Sequence, residues 1–536
     1  MSERQLADLG GGTIGGLLAR RAAAMPDKPA LLTAGGQLSY GELDNMASQV
    51  AGGLQELGVE QGGSVAVMLR NRLEWVTSWL GIARGGYVTV PVNTAYKGTF
   101  LEHALTLTRA VALVTESAFV PAILAVRDRV PTLRYLILVD DAPVTVPDDV
   151  SVLGYDELLL KSDVSRPEVL VRPYDTAAIA LTSGTTGKSK GVVTSHLMAL
   201  VAARENLECM GTTSRDVLYT CLPMFHGAAQ LNVCLHGFYA GATVVLSEKF
   251  SASRFWDDIR THDVTMFNAL GSVLPMLLAQ PADARDRTHR VRRVFAAPAP
   301  PDVLLPFEHR FGVHIVEGYG LTEIKNVTYN PVDARKVGSI GRPTRTTQLQ
   351  IQDEAGFEVP VGEVGEIVYR PLAANVMFSH YVDDAAATLA TMRGMWWRTG
   401  DLGYVDSDGY YYFVDRKKDA LRRRGENISS YEVETVLMAS PGVIEAAAIG
   451  TPSELGEDEV LAVVEVGEVD GFDFEALFRH CDEHLPHFMV PRYYRAVSVL
   501  PRTPTGKIQK AVLRTQGLQE RTWDSQQHGH APTRIR

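Results

Sequence analysis

The sequence predicts an α/β fold with more than one domain. The chain has 536 residues, which exceeds what one compact core accommodates. Over residues 13–340, β-rich runs alternate with helical patterns, an order typical of sheets flanked by helices. From residue 345 the pattern changes to short strands joined by Gly and Asp turns, and after residue 425 it becomes a small α+β unit.

The first half of the chain carries the alternating pattern. Residues 13–25 and 40–58 have apolar residues at helical spacing, and Pro26 ends the first pattern. Further strands are predicted at 65–69, 87–92, 175–182 and 191–196, and a helix at 197–208. The runs GATVVL, VTMFNA and VRRVFA continue the strand pattern.

The second half begins with antiparallel-type strands, QLQIQD, VGEIVYR and YYYFVD, joined by turns such as DSDG. A basic segment, DRKKDALRRRG, separates them from the helix VETVLMAS, the strands IEAAAIG and VLAVVEV, the helix FEALFRHCDEHL and the strand YRAVSVL. The polar end, 516–536, is predicted to be disordered.

Composition limits the function. The net charge of −11 and the pI near 5.7 argue against a general nucleic-acid partner. The four Cys are not spaced as C-x-x-C, so neither a disulfide framework nor a zinc ribbon is expected. The polar N-terminus has no signal-peptide pattern and no apolar run could span a membrane, so a cytoplasmic protein without a membrane partner is predicted.

The stretch LTSGTTGKSKGVV, residues 181–193, has the composition of a phosphate loop. Gly and small hydroxyl residues let backbone N–H groups approach a polyphosphate, and Lys adds positive charge. The P-loop pattern G-x-x-x-x-G-K-[ST] fails by one residue, because Thr182 stands where its first Gly belongs. The loop therefore indicates phosphate binding outside the P-loop NTPases.

Three further segments accompany this loop: GYGLTE at 318–323, WWRTGDLG at 396–403 and PRTPTGKIQK at 501–510. Each alone reads as an ordinary turn or a solvated loop. Together, in this order, they resemble the adenylate-forming superfamily of acyl-CoA ligases, luciferases and nonribosomal-peptide adenylation domains. The resemblance covers residues 15–515, with TSGTTGKSKGV, GYGLTE, RTGDLG, DRKKD and PTGKIQK as its most specific pieces.

The resemblance implies an architecture. Residues 1–414 would form a large N-terminal domain of stacked α/β sheets with a β-barrel-like subdomain. Residues 415–418 would be a hinge that contains Lys418, and residues 419–515 a small, mobile α+β lid. The lid would turn between the two half-reactions, formation of an acyl-adenylate and transfer of the acyl group to a thiol.

The resemblance also implies the residues that bind ATP and its products. Lys507, Glu323 and Thr322 are the predicted catalytic residues, with Glu323 as the Mg²⁺ ligand. Tyr319 would lie against adenine and Asp401 would accept hydrogen bonds from the ribose hydroxyls. The complete predicted ATP and AMP set is Thr182, Ser183, Gly184, Thr185, Thr186, Gly187, Lys188, Ala297, Pro298, Tyr319, Gly320, Asp401 and Arg416.

These residue types suit the chemistry, because a carboxylate is a poor nucleophile that ATP repels. Mg²⁺ on Glu323 and the loop donors would neutralise the departing pyrophosphate. Lys507 would bridge the substrate carboxylate and the α-phosphate.

The predicted thiol is coenzyme A. Segment 416–424 holds six basic residues, which suit the phosphates of CoA, although such a run is often a solvated surface. The predicted CoA contacts are Arg422, Arg423, Arg424, Gly425 and Glu426. A carrier-protein thiol is the alternative, but no carrier domain is apparent after residue 515.

The acid itself is less defined. His226 in LPMFHGAAQ, Asn268, Gly271 and Gly318 are the predicted acyl-pocket residues, while Lys325 and Asn326 would meet a polar group of the acid or face solvent. MLLAQPADARDRTHRVRRVF and FVDRKKDALRRRGENIS are similar to the crotonobetaine/carnitine-CoA ligase branch. That similarity suggests a functionalised or bulky small-molecule acid as substrate, for a monomer or homodimer.

Several alternatives stay open. Ala296-Ala297-Pro298 replaces the Gly-containing adenine segment of many relatives, and the unusual Ile324-Lys325-Asn326 follows Glu323. Either departure could leave an enzyme specialised for thioesterification of a supplied adenylate. A luciferase-type oxygenase and a non-catalytic acyl-nucleotide binder share the motifs, and a P-loop ATPase is opposed by Thr182. His480 and His484 have metal-ligand spacing, but an exposed helix end is the preferred interpretation.

Overall fold

The computed structural model describes residues 12–147, 150–161, 169–182, 189–270, 273–297, 299, 301–416, 421–423, 426–428, 430–453, 458–501, 508 and 510–533. The chain divides into two compact units. The larger comprises the described parts of Met1–Thr94, His103–Leu181 and Gly191–Asp415. The smaller comprises the described parts of Ala95–Glu102, Thr182–Lys190 and Arg416–Arg536.

The first part of the chain alternates strands and helices as predicted. Its strands are β1 Pro29–Thr33, β2 Gly36–Ser39, β3 Ser64–Met68, β4 Val88–Pro91, β5 Ala112–Thr115, β6 Tyr135–Leu138, β7 Ser151–Gly154, β8 Thr176–Thr182 and β9 Lys190–Ser195. Its helices are α1 Ile14–Ala24, α2 Tyr40–Glu56, α3 Leu73–Arg84, α4 Gly98–Leu107, α5 Val120–Arg127, α6 Tyr155–Leu160 and α7 His196–Met210.

The middle part continues this pattern and then becomes antiparallel. Its strands are β10 Val217–Thr220, β11 Thr243–Leu246, β12 Met266–Leu270, β13 Arg293–Ala297, β14 His314–Leu321, β15 Lys325–Tyr329, β16 Arg342–Pro343, β17 Thr347–Gln352, β18 Gly365–Pro371, β19 Met392–Arg393, β20 Trp396–Val405 and β21 Tyr411–Arg416. Its helices are α8 Gly227–Ala229, a π-helix Gln230–Leu235, α9 His236–Ala240, α10 Phe255–Thr261, α11 Val273–Leu278, α12 Pro301–Phe311 and α13 Ala385–Ala390.

The last part is the predicted α+β unit. Its strands are β22 Leu421–Arg423, β23 Glu426–Ile428, β24 Val443–Pro452, β25 Asp458–Val466, β26 Tyr493–Val497 and β27 Trp523–Asp524. Its helices are α14 Ser430–Met438, α15 Phe474–His484 and α16 Lys510–Gln516.

Two large sheets dominate the larger unit. One has nine strands in the order β16-β15-β14-β13-β12-β10-β11-β1-β2, and the other has seven in the order β7-β6-β5-β3-β4-β8-β9. Their central pairs are parallel, and β3 is buried along its whole length, as expected for a strand covered on both faces. The carboxyl ends of β12, β13 and β14 therefore lie side by side, which is where ligands bind in such sheets.

Local sequence sets the helix boundaries beside these sheets. Ser39 and Glu42 form a reciprocal capping box at the start of α2, and Ser195 caps α7 by accepting from Met198 N–H. Gly211 ends α7 in the left-handed conformation, with φ 57°. In this way β9, α7 and β10 follow one another within short turns.

The subdomain predicted to be barrel-like is a five-stranded antiparallel sheet in the described residues. Its order is β17-β18-β20-β19, and β21 pairs with β20. Its core includes Ile367, Tyr369, Phe378 and Trp397. This sheet carries the RTGDLG motif on β20, directly before the turn into β21.

The smaller unit contains a four-stranded sheet in the order β24-β25-β26-β27 and the hairpin β22-β23. The predicted disorder of 516–536 is wrong for its described part, because β27 pairs with β26. Trp523 stacks on Phe474 with a centroid distance of 5.9 Å, and Arg492 forms two hydrogen bonds to the Asp524 carboxylate. Aromatic packing and an ion pair hold this otherwise polar segment.

In the part of the chain that the structure describes, no helix combines the length and the apolar character needed to cross a membrane.

Candidate active site

The GYGLTE motif forms the end of β14 and the turn into β15. Gly318 pairs with Tyr329 and Gly320 with Asn326 in this antiparallel hairpin. A Cβ atom on Gly320 would lie 2.1 Å from the carbonyl oxygen of Lys325, a distance no side chain tolerates. The close approach of the two strands therefore requires glycine at 320, and it holds Tyr319 and the following turn in one position.

Tyr319 connects this hairpin to the RTGDLG motif. Its hydroxyl donates a 2.6 Å hydrogen bond to Oδ2 of Asp401, a residue that is only 3% exposed. The Asp401 N–H in turn donates to Thr399 Oγ1 at 3.0 Å, and Gly400 takes a left-handed φ of 77°. The two motifs, 82 residues apart in the chain, thus present an aromatic ring and a carboxylate as one rigid pair.

Glu323 lies in the turn that follows Tyr319. Its Oε1 accepts a 2.8 Å hydrogen bond from the Tyr381 hydroxyl, and its carbonyl oxygen accepts from Phe378 N–H at 2.7 Å. Burial raises the pKa of Tyr381, and the Glu323 carboxylate raises it further, so Tyr381 stays a donor. Thr322 beside it is exposed, so its hydroxyl is accessible from solvent.

The donor set around Glu323 fits Mg²⁺ in one particular way. No cluster of three or more His, Cys, Asp or Glu side chains able to hold a metal exists among the described residues. Mg²⁺ commonly takes one or two carboxylates plus substrate phosphates rather than an all-protein cage. A single carboxylate oriented by Tyr381 suits that arrangement.

A small cavity of about 10 Å³, enough for a single water molecule, lies behind the hairpin. It is surrounded by α7, the π-helix, α9 and the strands β10, β12 and β13. The residues that line it are Asn206, Met210, Leu218, Asn232, Val233, His236, Met266, Phe267, Asn268 and Phe295. Of the predicted acyl-pocket residues Asn268 lines this cavity, whereas His226 and Gly318 do not.

His226 and Gly318 nevertheless contact the same surroundings. Asn268 Nδ2 donates to the carbonyl of Ala228 at 3.0 Å, two residues after His226, which is half-buried beside the ring of Phe225. A Cβ on Gly318 would lie 2.9 Å from the ring of Phe295, a cavity residue. Gly318 therefore lies against a lining residue of the cavity, and His226 lies two residues before the hydrogen-bond partner of another.

Lys325 does not face solvent. It is 5% exposed, takes a left-handed φ of 59° and forms a 2.5 Å ion pair with Glu205 on α7. Glu205 also accepts hydrogen bonds from the backbone N–H and the hydroxyl of Thr346. Burial lowers the pKa of Lys325, and the Glu205 carboxylate opposes that shift.

Asn326 is similarly engaged inside the protein. Its Nδ2 donates to Asn232 Oδ1 at 3.1 Å and to the Tyr329 hydroxyl at 2.8 Å. Tyr329 donates to Asn206 Oδ1, and Asn206 Nδ2 donates to Asn232 Oδ1 at 3.1 Å. These four side chains make a connected polar network next to the cavity, and sequence reasoning found only Asn326 of the four.

The adenine segment is described in part. Ala297 ends β13, is half-buried and pairs in register with Leu270. The predicted phosphate contact Thr182 ends β8 and is half-buried. Other predicted site residues lie outside the described residues: Ser183, Gly184, Thr185, Thr186, Gly187, Lys188, Gly271, Pro298, Lys418, Arg424, Gly425 and Lys507.

The basic segment is described only in pieces. Arg416 ends β21, Arg422 lies in β22, and Glu426 begins β23 and is half-buried.

Arg423 is not a surface residue, so its predicted contact with CoA is wrong. The residue is 3% exposed, and its Nε lies 2.6 Å from Oε2 of Glu459. Its NH1 donates to the carbonyls of Phe488 and Val490 at 3.2 and 2.7 Å. A strand alternates its side chains between two faces, and β22 turns this arginine into the interior of the smaller unit.

The His480 and His484 pair has ordinary structural partners. His480 Nε2 lies 3.0 Å from the Val436 carbonyl, and His484 Nδ1 lies 2.8 Å from the His480 carbonyl. The preferred interpretation of a helix end, rather than a metal site, agrees with these contacts.

Comparison with known proteins identifies the class of protein that this fold and site define. The AMP-binding enzyme family matches residues 18–381, and the AMP-binding enzyme C-terminal domain matches residues 432–507. The chain belongs to the AMP-binding enzyme family, and the predicted membership of the adenylate-forming superfamily and the predicted fold class are confirmed.

Individual relatives and solved structures are similar to this chain over most of its length. A crotonobetaine/carnitine–CoA ligase of Salmonella heidelberg is 31% identical over 484 residues, covering 89% of this chain and 93% of the relative. The solved o-succinylbenzoate CoA synthetase of Bacillus subtilis has a TM-score of 0.81 at 26% identity, covering 93% and 98% of the two chains. The amide bond synthetase of Marinactinospora thermotolerans has the same TM-score and identity, covering 93% and 99%.

Proposed function

We propose that this chain is an AMP-forming acyl-CoA ligase, which uses ATP to convert a carboxylic acid to an acyl-adenylate and then transfers the acyl group to CoA. The observation that carries the proposal is the 2.6 Å hydrogen bond between Tyr319 and Asp401. It joins two of the five most specific motifs, GYGLTE and RTGDLG, so that an aromatic ring and a carboxylate lie side by side. The CoA ligases among its relatives support the thiol acceptor.

Nucleoside binding depends on the Tyr319–Asp401 pair. An ionised carboxylate accepts two hydrogen bonds, which suits the paired hydroxyls of a ribose. Because Tyr319 donates to Oδ2, the carboxylate is oriented before ATP arrives. The tyrosine ring would lie against adenine, beside the end of β13 at Ala297.

Phosphate binding would involve the turn at Thr322 and Glu323 and the loop from Thr182 to Lys188. Mg²⁺ would supply positive charge to the pyrophosphate leaving group when bound at Glu323. Tyr381 holds the Glu323 carboxylate by its 2.8 Å hydrogen bond, so this oxygen ligand is oriented in advance. The small hydroxyl and glycine residues of the loop offer backbone N–H donors.

The remaining roles fall to residues of the C-terminal part. Lys507 would neutralise the repulsion between the acid and the α-phosphate, and Arg416 would contact the ribose. Lys418 would be the hinge position. CoA would be bound by Arg422, Arg424, Gly425 and Glu426, a set from which the buried Arg423 is removed.

One assay tests the proposed reaction. Purified protein is incubated with ATP, Mg²⁺, CoA and a panel of carboxylic acids, and products are identified by mass spectrometry. AMP together with an acyl-CoA thioester is the expected result. Formation of ADP would contradict the proposed acyl-CoA ligase function. So would formation of AMP when none of the acids yields a thioester.

A matched pair of variants links the assay to the site. Asp401→Asn keeps the shape of the side chain but removes its charge, and it should lower AMP formation about 100-fold. Asp406→Asn makes the same change in the β20–β21 turn, where Asp406 accepts from Lys336. It should leave the rate within about twofold of wild type.

The alternative is an enzyme specialised for the second half-reaction, which the alanines at 296 and 297 motivate. Such an enzyme would convert a supplied acyl-adenylate to a thioester but would exchange labelled pyrophosphate into ATP poorly. Brisk exchange in the presence of an accepted acid excludes it.

A further inference from the structure

Residues 378–382 form a segment, the connecting segment, that runs alongside β9. Ser379 N–H donates to the Val193 carbonyl at 2.8 Å, and Val382 N–H donates to the Gly191 carbonyl, also at 2.8 Å. In the chain, β9 follows directly after the predicted phosphate loop. The connecting segment is therefore hydrogen-bonded to the strand by which the chain leaves that loop.

The approach between β9 and the connecting segment is close. A Cβ atom on Gly191 would lie 3.0 Å from Cγ2 of Ile179 and 3.0 Å from Cγ2 of Val382, which is tighter than ordinary van der Waals contact. The next residue, Val192, forms an isolated antiparallel bridge with Tyr381 and is completely buried. The register and the spacing of the two pieces of chain are thus fixed together.

The same segment also holds the turn of the GYGLTE motif, through two hydrogen bonds to one residue. Phe378 N–H donates to the Glu323 carbonyl at 2.7 Å, which fixes the backbone of the turn. The Tyr381 hydroxyl donates to Glu323 Oε1 at 2.8 Å, which orients the carboxylate. Tyr381 is only 4% exposed, and its ring lies 4.9 Å from that of Phe378. The hydroxyl therefore reaches Glu323 from a tightly packed side chain.

A shared hydrophobic core joins these pieces further. Val192 of β9, Ile324 beside Glu323, and Phe378 and Tyr381 of the connecting segment belong to one buried cluster. Close-packed interiors have few voids and transmit strain from one side chain to the next. A shift of β9 would therefore also shift the surroundings of the Glu323 carboxylate.

We propose that the connecting segment couples the phosphate loop to the Mg²⁺-binding carboxylate, and that Tyr381 is a positioning residue for the Mg²⁺ form of ATP. The loop would contact the polyphosphate directly, and Glu323 would contact it through Mg²⁺. Because both are attached to residues 378–382, their spacing is set before the nucleotide arrives, which lowers the cost of ordering them on binding. This inference rests on the proposed function and adds a residue that determines metal-dependent affinity.

Calorimetric titration with two nucleotides tests the inference without turnover. MgATP would use Glu323 through the metal, whereas AMP lacks the β- and γ-phosphates that hold Mg²⁺. Tyr381→Phe keeps the ring and removes only the hydroxyl. Its Kd for MgATP should rise about 5- to 20-fold, because a hydrogen bond to a charged group is lost. Its Kd for AMP should stay within about twofold of wild type, because AMP makes no use of the carboxylate.

Tyr411→Phe is the matched control. The Tyr411 hydroxyl is buried in the same core and also donates a 2.8 Å hydrogen bond, but its acceptor is the Leu349 carbonyl. Both Kd values should stay within about twofold of wild type in this variant. An equal rise for MgATP and AMP in Tyr381→Phe would show a merely structural role and overturn the inference. No rise for MgATP would overturn it as well.

Hydrogen–deuterium exchange tests the coupling itself. MgATP should slow amide exchange of the wild-type protein both at 191–193 and at 378–382, and it should slow it more than AMP does. In Tyr381→Phe the difference between the two nucleotides at 378–382 should disappear. Protection by MgATP that is confined to β9 in the wild-type protein would contradict the coupling.

Thioester assays separate the failure of this inference from the failure of the proposed function. Absence of thioester from every acid, with the selective loss of MgATP binding in Tyr381→Phe retained, would refute the ligase but support the coupling. Thioester formation with an unaltered Kd for MgATP in that variant would refute the coupling alone. If the wild-type protein binds neither MgATP nor AMP, both proposals are wrong.

Discussion

The proposed nucleotide side and the proposed acyl side of the larger unit are built in different ways. On the nucleotide side, Tyr319, Glu323 and Asp401 come from two short motifs that the Tyr319–Asp401 hydrogen bond connects, while Tyr381, outside both motifs, holds Glu323. On the acyl side, Asn206, Asn232 and Asn268 come from a helix, a π-helix and a strand. The same molecule thus combines a proposed site drawn mainly from two short motifs with a second region built from dispersed residues.

The difference teaches where variation can occur. The glycines and the carboxylate of the motifs are tied to backbone geometry. At Gly320, for example, an added Cβ atom would lie only 2.1 Å from the carbonyl oxygen of Lys325. Cavity residues are held by side-chain hydrogen bonds that other side chains can replace singly. We therefore expect ATP chemistry to tolerate few substitutions and acid preference to change with one.

The largest expected effect tests whether the buried ion pair between Lys325 and Glu205 stabilises the acyl side. Lys325→Met leaves Glu205 buried without its cation, which should destabilise the protein by about 3–5 kcal/mol. Urea unfolding at pH 7 measures this loss. The double variant Lys325→Met, Glu205→Met should recover most of it, since both charges are then absent.

Lys336→Met is the control for that experiment. Lys336 pairs with Asp406 and Asp408 at the surface, so its replacement should cost far less than that of Lys325. If Lys325→Met and Lys336→Met lower the free energy of unfolding equally, the buried ion pair on the acyl side contributes no more than a surface ion pair.

The second prediction tests the catalytic role proposed for Lys507. Lys507→Ala should slow adenylate formation about 100- to 1000-fold, equivalent to about 3–4 kcal/mol. Conversion of a supplied acyl-adenylate and CoA to thioester should remain within about threefold of wild type. Pyrophosphate exchange and single-turnover thioester assays separate the steps, and an equal decrease in both would contradict the role assigned to Lys507.

The third prediction concerns the pH dependence that the acyl side imparts. His236 has a pKa of about 4 in the folded protein because it is buried, against about 6.5 in the unfolded chain. The unfolded state therefore binds the proton more tightly, so stability is complete above pH 6.5 and falls by about 3 kcal/mol as the pH decreases to 4.

Urea unfolding between pH 7 and pH 4.5 measures that slope. His236→Gln should flatten it, whatever the variant does to stability at pH 7. An unchanged slope would mean that other groups, such as the buried His196 with a pKa also lowered by burial, account for the acid sensitivity.

The smallest expected effect tests the orientation of Asp401. Tyr319→Phe removes one hydrogen bond but keeps the ring, so the KM for ATP should rise about five- to tenfold. Tyr404→Phe is the matched control on β20, where the ring stacks on Tyr412 and no described hydrogen bond uses the hydroxyl. A change in kcat for the acid, with KM for ATP unaltered, would place Tyr319 on the acyl side instead.

Sequence patterns predicted much of the fold because alternation and caps are local. The helices at 13–25 and 40–58 are observed at Ile14–Ala24 and Tyr40–Glu56, and the strand at 175–182 at Thr176–Thr182. Patterns did not predict Arg423 because a run of charges does not reveal which face of a strand is buried. The prediction of a disordered tail was wrong for the opposite reason. A few aromatic contacts hold this segment in place despite its polar composition.

The candidate site shows the same division. GYGLTE and RTGDLG could be found in the sequence because their residues are contiguous, although the Tyr319–Asp401 contact could not. Asn206 and His236 had no local signal, because an asparagine in a helix and a histidine near a glycine are common. The sequence left two interpretations of Lys325 open, because it does not show that Glu205 is the buried partner of this side chain.

The pairing of β27 with β26 bears on how the protein is prepared in the laboratory. A chain shortened after Gln516 would uncover the edge of β26, with unpaired N–H and C=O groups along Tyr493 and Tyr494. Bare edges of this kind join to one another between molecules. Shortened preparations should therefore aggregate, and affinity tags are better attached at the opposite terminus.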